Sequence, residues 1–203
     1  MPADPLSPPV PPPTPAPQPA PATQPAPLPR RAVFFDRDGT LMEDAHYCAD
    51  PALVRVFPGV PEALQRLRAA GFAIFIVTNQ SGIGRGLLTT AQYHAVAGEF
   101  LRQAGRDSID ASYFCPDAPG VPSACRKPEI GMVRRAAADY ALDLEASYFV
   151  GDKSADVECG RRAGMRTILV LTGYGPEQQC SPDLTCADAL AAIDSILSEA
   201  AQR

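Results

Sequence analysis

The chain has 203 residues, 46% of them hydrophobic, with a net charge of -5 and a pI near 5.0; that is enough for one sizeable core and too little for two ordinary domains. The acidic balance excludes a broad nucleic-acid surface, which would need a basic face, and no stretch approaches the roughly 18 uninterrupted apolar residues of a membrane span. The amino terminus lacks the charged start and apolar run of a secretory signal, so the expected location is cytoplasmic, with neither nucleic acid nor membrane as a partner.

Residues 1–30 are dominated by proline alternating with alanine, threonine and glutamine, a composition that favours extended polyproline II and buries no core. They read as a solvated tail ahead of one domain spanning 31–203; a proline-binding partner of the tail is the alternative, with Pro27-Leu28-Pro29-Arg30 as its best motif. From Arg31 short apolar runs alternate with helix-period segments, the pattern of βαβ units in a parallel sheet. It predicts strands over 32–35, 72–77, 111–115, 147–150 and 166–171. Helices are expected over 59–70, 89–104, 129–141, 154–163 and 187–201. Right-handed crossovers then bring most strand ends to one edge.

Those ends carry the chemistry. The first delivers Asp36-Arg37-Asp38-Gly39-Thr40, the second Thr78-Asn79-Gln80-Ser81-Gly82, and the fourth Gly151-Asp152-Lys153-Ser154-Ala155-Asp156. Past the third strand's loop lies Cys125-Arg126-Lys127-Pro128, with Pro128 suited to the first turn of a helix. A lone Asp-Gly is an ordinary turn, but carboxylates, a hydroxyl and a lysine converging from four places make a candidate site. Two neighbouring carboxylates serve as a nucleophile, as an acid/base, or as ligands for a hard cation.

The stretches DRDGTL, TNQSGIGRG, CRKP and GDKSAD resemble the haloacid dehalogenase-like phosphohydrolases from Ala32 to about Leu171, and within them the heptose bisphosphate phosphatase and histidinol-phosphatase group. The resemblance implies a Rossmann-like three-layer α/β sandwich with a central, mainly parallel sheet, Mg2+ as cofactor and a phosphoaspartate intermediate. A phosphate ester repels a carboxylate nucleophile, so attack by Asp36 needs cations on the phosphoryl oxygens. Mg2+ and Lys127 fill that need. Asp36 and Asp152 are the side-chain ligands, and the family pattern adds the Asp38 carbonyl. Thr78 is expected to hydrogen-bond the phosphoryl group and Asp38 to serve as general acid and base. Asp152 also reads as an N-cap. Asp156 reads either as orienting Lys153 or supporting the metal, or as a solvated carboxylate.

The short segment between Asp38 and the next helix leaves no room for a large cap domain. By resemblance, Asp44, His46 and Tyr47, with Asn79, Gln80 and Ser81 after Thr78, contact the sugar, and Lys153 joins them. Arg85 and Arg126 suit a second phosphate. The expected substrate is therefore a small phosphorylated sugar, first of all a heptose 1,7-bisphosphate losing its 7-phosphate, ahead of histidinol phosphate, a polynucleotide 3'-phosphate or an inert scaffold; the expected state is a monomer. Related chains carry a zinc loop before Arg-Lys-Pro, but here only Cys115, Asp117, Ser123 and Cys125 stand there, a poor zinc site expected to close without metal. With no export signal, the six cysteines are expected as free thiols or a metal site rather than disulfides.

Overall fold

The computed structural model describes residues 29–202. The expected tail lies outside these residues except for Pro29 and Arg30, and Arg30 already belongs to the first strand. That strand, β1 (Arg30–Phe35), is built by Val33-Phe34-Phe35, an apolar run with no turn-former, and its last four residues are buried. It stands inside a six-stranded sheet with β2 (Ala73–Asn79), β3 (Ala111–Cys115), β4 (Leu142–Gly151), β5 (Arg166–Val170) and β6 (Leu184–Cys186). The order is β3-β2-β1-β4-β5-β6, and every pairing is parallel. Chain direction across the sheet reverses between β1 and β4, which opens a crevice beyond their carboxyl ends.

Strand alternation splits the core into two layers. Val33 and Phe35 face a cluster that includes Leu64 and Leu67 of α1 (Val60–Ala69), Val96 and Phe100 of α3 (Thr90–Ala104), and Ile193 and Ile196 of α6 (Ala189–Ala201). Ala32 and Phe34 face the other layer, with Met132 and Val133 of α4 (Gly131–Tyr140) and Cys159 of α5 (Ser154–Arg162). Phe34 stacks on Phe75 with ring centroids 5.1 Å apart; each such buried ring contributes about 1.5–3 kcal/mol of transfer free energy. The three-layer sandwich expected from the sequence is thus present, with the sheet parallel throughout. Residues 36–59 hold only a 3-10 turn at Pro51–Leu53 and two single bridges, Asp38 with Met42 and Met42 with Val56, and no cap domain.

All the predicted strands and helices form, with three differences. β4 starts at Leu142, not at 147, because Leu142 and Asp143 pair with Arg30 and Arg31 across a register shift. The Ser147 hydroxyl bridges that irregularity by accepting the Ala32 N–H at 2.9 Å, a repair that apolar periodicity does not register. The short β6 exists only through pairing with β5, and α2 (Ser81–Gly84) is a single turn. Among the described residues no helix is long and apolar enough to cross a membrane.

Candidate active site

Asp36 follows the last residue of β1, and its backbone N–H continues the ladder to Val150 O at 2.9 Å. Strand geometry therefore fixes its carboxylate at the switch point. Lys127 Nζ lies 2.8 Å from Asp36 Oδ1 and 2.7 Å from Asp156 Oδ1, and donates to Val77 O at 2.7 Å. Its three donors thus meet three acceptors in a buried setting. Burial works against the charge on Lys127, yet Asp156 and Asp36 outweigh it and raise its pKa. Burial likewise opposes ionisation of Asp36, and Lys127 and Lys153 still hold its carboxyl below its ordinary value. Asp156 is 1% exposed, so it is no solvated helix carboxylate. It contacts Lys153 only through that residue's backbone N–H, at 3.0 Å, and its side-chain partner is Lys127.

Asp152, at the end of β4, is fully buried. It does not cap α5; the residue ahead of that helix is Lys153. Asp152 Oδ2 accepts the Tyr174 N–H at 2.9 Å and Oδ1 accepts the Thr40 hydroxyl at 3.4 Å. Two glycines make room for it: Gly39, at φ +85°, where a Cβ would stand 2.5 Å from Asp152 Oδ2, and Gly173, where a Cβ would collide with the same oxygen. Burial, then Asp36, pushes the Asp152 carboxyl up to about 7. Oxygens of Asp36, Asp152 and Asp156 lie within 4.8 Å of one another. Hard oxygens packed this closely, one of them held against its charge, fit a hard divalent cation. Lys127 holds one oxygen each of Asp36 and Asp156, so the remaining Asp36 oxygen and the Asp152 carboxylate are left to face such an ion.

Asp38 points to a different set of partners. Arg37 Nη2 and Nε bracket its carboxylate at 2.9–3.3 Å. Gln80 Nε2 donates to it at 2.8 Å and the Thr78 hydroxyl at 3.4 Å. Arg37 is almost wholly buried, its guanidinium 5.5 Å from the Tyr93 ring. Asn79, expected against the sugar, lines the cavity and also clamps Lys127: its Nδ2 donates to Lys127 O at 3.1 Å and its Oδ1 accepts Lys127 N–H at 3.0 Å. That clamp replaces the anchoring expected of Pro128, because α4 starts only at Gly131.

Above these groups opens a cavity of about 440 Å³ lined by Asp36, Asp38, Asp44, His46, Tyr47, Thr78, Asn79, Gln80, Ser81, Arg126, Lys127 and Lys153 among others. Two of the residues singled out from the sequence lie outside its wall. Asp152 is buried behind it, and Arg85 stands at the rim, 5.8 Å from the Tyr47 ring. Burial, then the charge of Arg85, lowers the pKa of Arg126, so two guanidiniums share one side. His46 and Tyr47 both adopt left-handed backbone, φ 44° and 52°, a strain that costs each on the order of 1 kcal/mol. Asp44 Oδ1 offsets part of it by accepting His46 N–H at 2.9 Å. The sequence reading missed Arg37 and Tyr174; the Gly173-Tyr174-Gly175 stretch after β5 is the signal that marks the second.

Several known proteins are similar to this chain. A chain from Thermosynechococcus vestitus named D-glycero-D-manno-heptose-1,7-bisphosphate 7-phosphatase is 36% identical over 87% of this chain and 100% of its own length. The same-activity enzyme named D-glycero-beta-D-manno-heptose-1,7-bisphosphate 7-phosphatase of Escherichia coli K12 is 39% identical over 75% and 86%. A crystal structure of D,D-heptose 1,7-bisphosphate phosphatase from B. bronchiseptica, complexed with magnesium and phosphate, superposes with a TM-score of 0.77 at 33% identity, covering 83% of this chain and 99% of that one. The HAD-hydrolase-like family model matches residues 124–193. This chain belongs to the haloacid dehalogenase-like phosphatases. It is accordingly a phosphoric monoester hydrolase.

One expectation fails in this haloacid dehalogenase-like phosphatase. Cys115 and Cys125 are joined in a disulfide, while Cys48, Cys159, Cys180 and Cys186 are free. The end of β3 and the residue before Arg126 bring the two Cα atoms to 5.5 Å, within bridging range, a proximity that sequence spacing does not encode. Asp117 Oδ2 lies 3.6 and 3.4 Å from the two sulfurs, but ligation would require thiolates, so bridge and metal exclude each other.

Proposed function

We propose that this phosphatase is Mg2+-dependent, works through a phosphoaspartate on Asp36, and removes the 7-phosphate of a heptose 1,7-bisphosphate. The observation that carries the reading is the buried Asp36 carboxylate held between Lys127 at 2.8 Å and the oxygens of Asp152, at the floor of an open, polar cavity. Asp36 and Asp152 hold Mg2+, with the Asp38 carbonyl as the third protein ligand; the ion supplies positive charge to the phosphoryl oxygens.

In the first half-reaction an Asp36 oxygen bonds to phosphorus as the ester P–O bond breaks, and Asp38 gives its proton to the departing sugar oxygen. In the second, Asp38 takes a proton from water, the water oxygen bonds to phosphorus, and the aspartyl P–O bond breaks to release phosphate. Lys127 and the Thr78 hydroxyl stabilise the charge gathering on the phosphoryl oxygens. Arg37 and Gln80 hold the Asp38 carboxylate beside the reacting atoms, and Arg85 with Arg126 takes the second phosphate. The names of the relatives, and this pair of guanidiniums on one side of the cavity, favour a bisphosphorylated sugar.

Phosphate release from a panel of sugar phosphates, histidinol phosphate and a 3'-phosphorylated oligonucleotide, with Mg2+ and with excess chelator, tests the reading. The expected result is Mg2+-dependent turnover selective for the heptose bisphosphate. Full activity in Asp36→Asn would overturn the mechanism, and selectivity for another panel member would overturn the substrate.

A further inference from the structure

Tyr174 has no part in the reaction as described above, yet it touches three elements of the site. Its backbone N–H donates to Asp152 Oδ2 at 2.9 Å. Its ring lies 4.8 Å from Lys153 Nζ, and its hydroxyl is 3.1 Å from His46 Nδ1. Lys153 needs such a guide, because its ammonium has only long ion pairs, 3.7 Å to Asp44 and 3.7 Å to Asp152, and a side chain 36% exposed. His46 needs one too: its imidazole is exposed on a left-handed turn, and Asp44 on its own loop lies 3.8 Å from the ring, beyond hydrogen-bonding distance.

Tyr174 itself is well anchored. Gln178 Nε2 donates to its carbonyl at 3.2 Å, and Gln178 Oε1 accepts the Ser154 N–H at the start of α5 at 2.8 Å. The loop after β5 is thereby tied to the helix that follows Asp152 and Lys153. The hydroxyl of Tyr174 then reaches across to the loop after β1, and Asp44, His46 and Tyr174 form the partition between the main cavity and a neighbouring one of about 380 Å³.

We propose that Tyr174 is a positioning residue for the phosphatase reaction: its ring aims Lys153 at the phosphoryl group, and its hydroxyl sets His46 as the wall against which the sugar lies. This rests on the reading of the cavity as the phosphatase site. The division of labour follows from the chemistry, since cation–π attraction acts on the cavity-lining Lys153 and the hydroxyl acts only on the His46 wall.

Tyr174→Phe and Tyr174→Leu separate the two effects, and both retain the backbone N–H on Asp152. Tyr174→Phe should raise KM for the sugar bisphosphate about 3- to 10-fold with kcat within about twofold. Tyr174→Leu should also lower kcat about 5- to 10-fold. The Mg2+ concentration for half-activity should stay unchanged in both, which a general loosening of the Asp152 loop would not allow. A readout independent of turnover comes from the imidazole proton spectrum. The chain has two histidines, His46 and His94, with the His46 signal identified by its loss in His46→Gln; Tyr174→Phe should move that signal and leave the His94 signal in place. Titration with inorganic phosphate and Mg2+, followed in the same spectrum, should give about 3-fold or weaker binding in Tyr174→Leu. An unmoved His46 signal in Tyr174→Phe, or wild-type phosphate affinity in Tyr174→Leu, overturns the proposal whatever the substrate panel shows. Failure of the wild-type chain to turn over any panel member would instead count against the substrate reading alone.

Discussion

The floor and the rim of the cavity are held by different physics. On the floor, Asp36, Lys127, Asp152 and Asp156 are each 4% exposed or less, they sit on or beside strand ends, and the charge of one is compensated by another. Around the rim, His46, Tyr47 and Arg85 are exposed, sit on loops and meet through single hydrogen bonds or ring contacts. A buried charge without its partner is costly, so the floor tolerates one geometry only. Rim contacts are individually weak and exchangeable with water, so loops there can vary in what they admit. The contrast teaches that the reaction type is written in the floor and the substrate in the rim.

The contrast breaks most sharply at Asp36. Asp36→Asn keeps the shape but removes the proposed nucleophile, and kcat should fall by roughly 10³-fold or more with the thermal midpoint close to wild type. Lys127→Met should be inactive and should also lose about 3–5 kcal/mol in urea unfolding, because Asp36 and Asp156 are left buried without their cation. A loss below about 1 kcal/mol would show that the floor is wetter than its burial implies.

Asp38→Asn should lower kcat by about 10²- to 10⁴-fold, the range expected if the proposed general acid and base is lost. The next effect concerns stability. With its carboxyl pushed up to about 7 from an ordinary 3.8, Asp152 retains a proton in the folded metal-free chain that the unfolded chain has released. The stability this contributes is complete below pH about 4 and is lost as pH rises through 7. On the proposed reading Mg2+ replaces that proton, so the gain in melting temperature on adding Mg2+ should be larger at pH 8 than at pH 6; an equal gain at both would exclude Asp152 as a ligand. At the rim, Arg85→Ala should act least, raising KM for a sugar bisphosphate about 5- to 50-fold while leaving kcat, and KM for a monophosphate, near wild type.

The apolar runs at residues 32–35, 72–77 and 147–150 fixed the strands and delivered Asp36, Thr78 and Asp152 to one edge, because strand burial and strand ends are local properties that period and composition encode. The same logic placed Lys127 at the site through its neighbourhood. By itself, then, the sequence determined the layered α/β fold, the edge at which the candidate site lies and the residue types gathered there. The tertiary structure alone decided who meets whom. Asp156 pairs with Lys127 and not with the Lys153 side chain, Asn79 clamps the Lys127 backbone, Arg37 is folded under Asp38, Tyr174 reaches His46, and Cys115 bonds Cys125. Each of these joins segments, or turns a side chain inward, through the register of neighbouring strands and the packing of the loops beyond them, and neither of those has a signature in linear spacing.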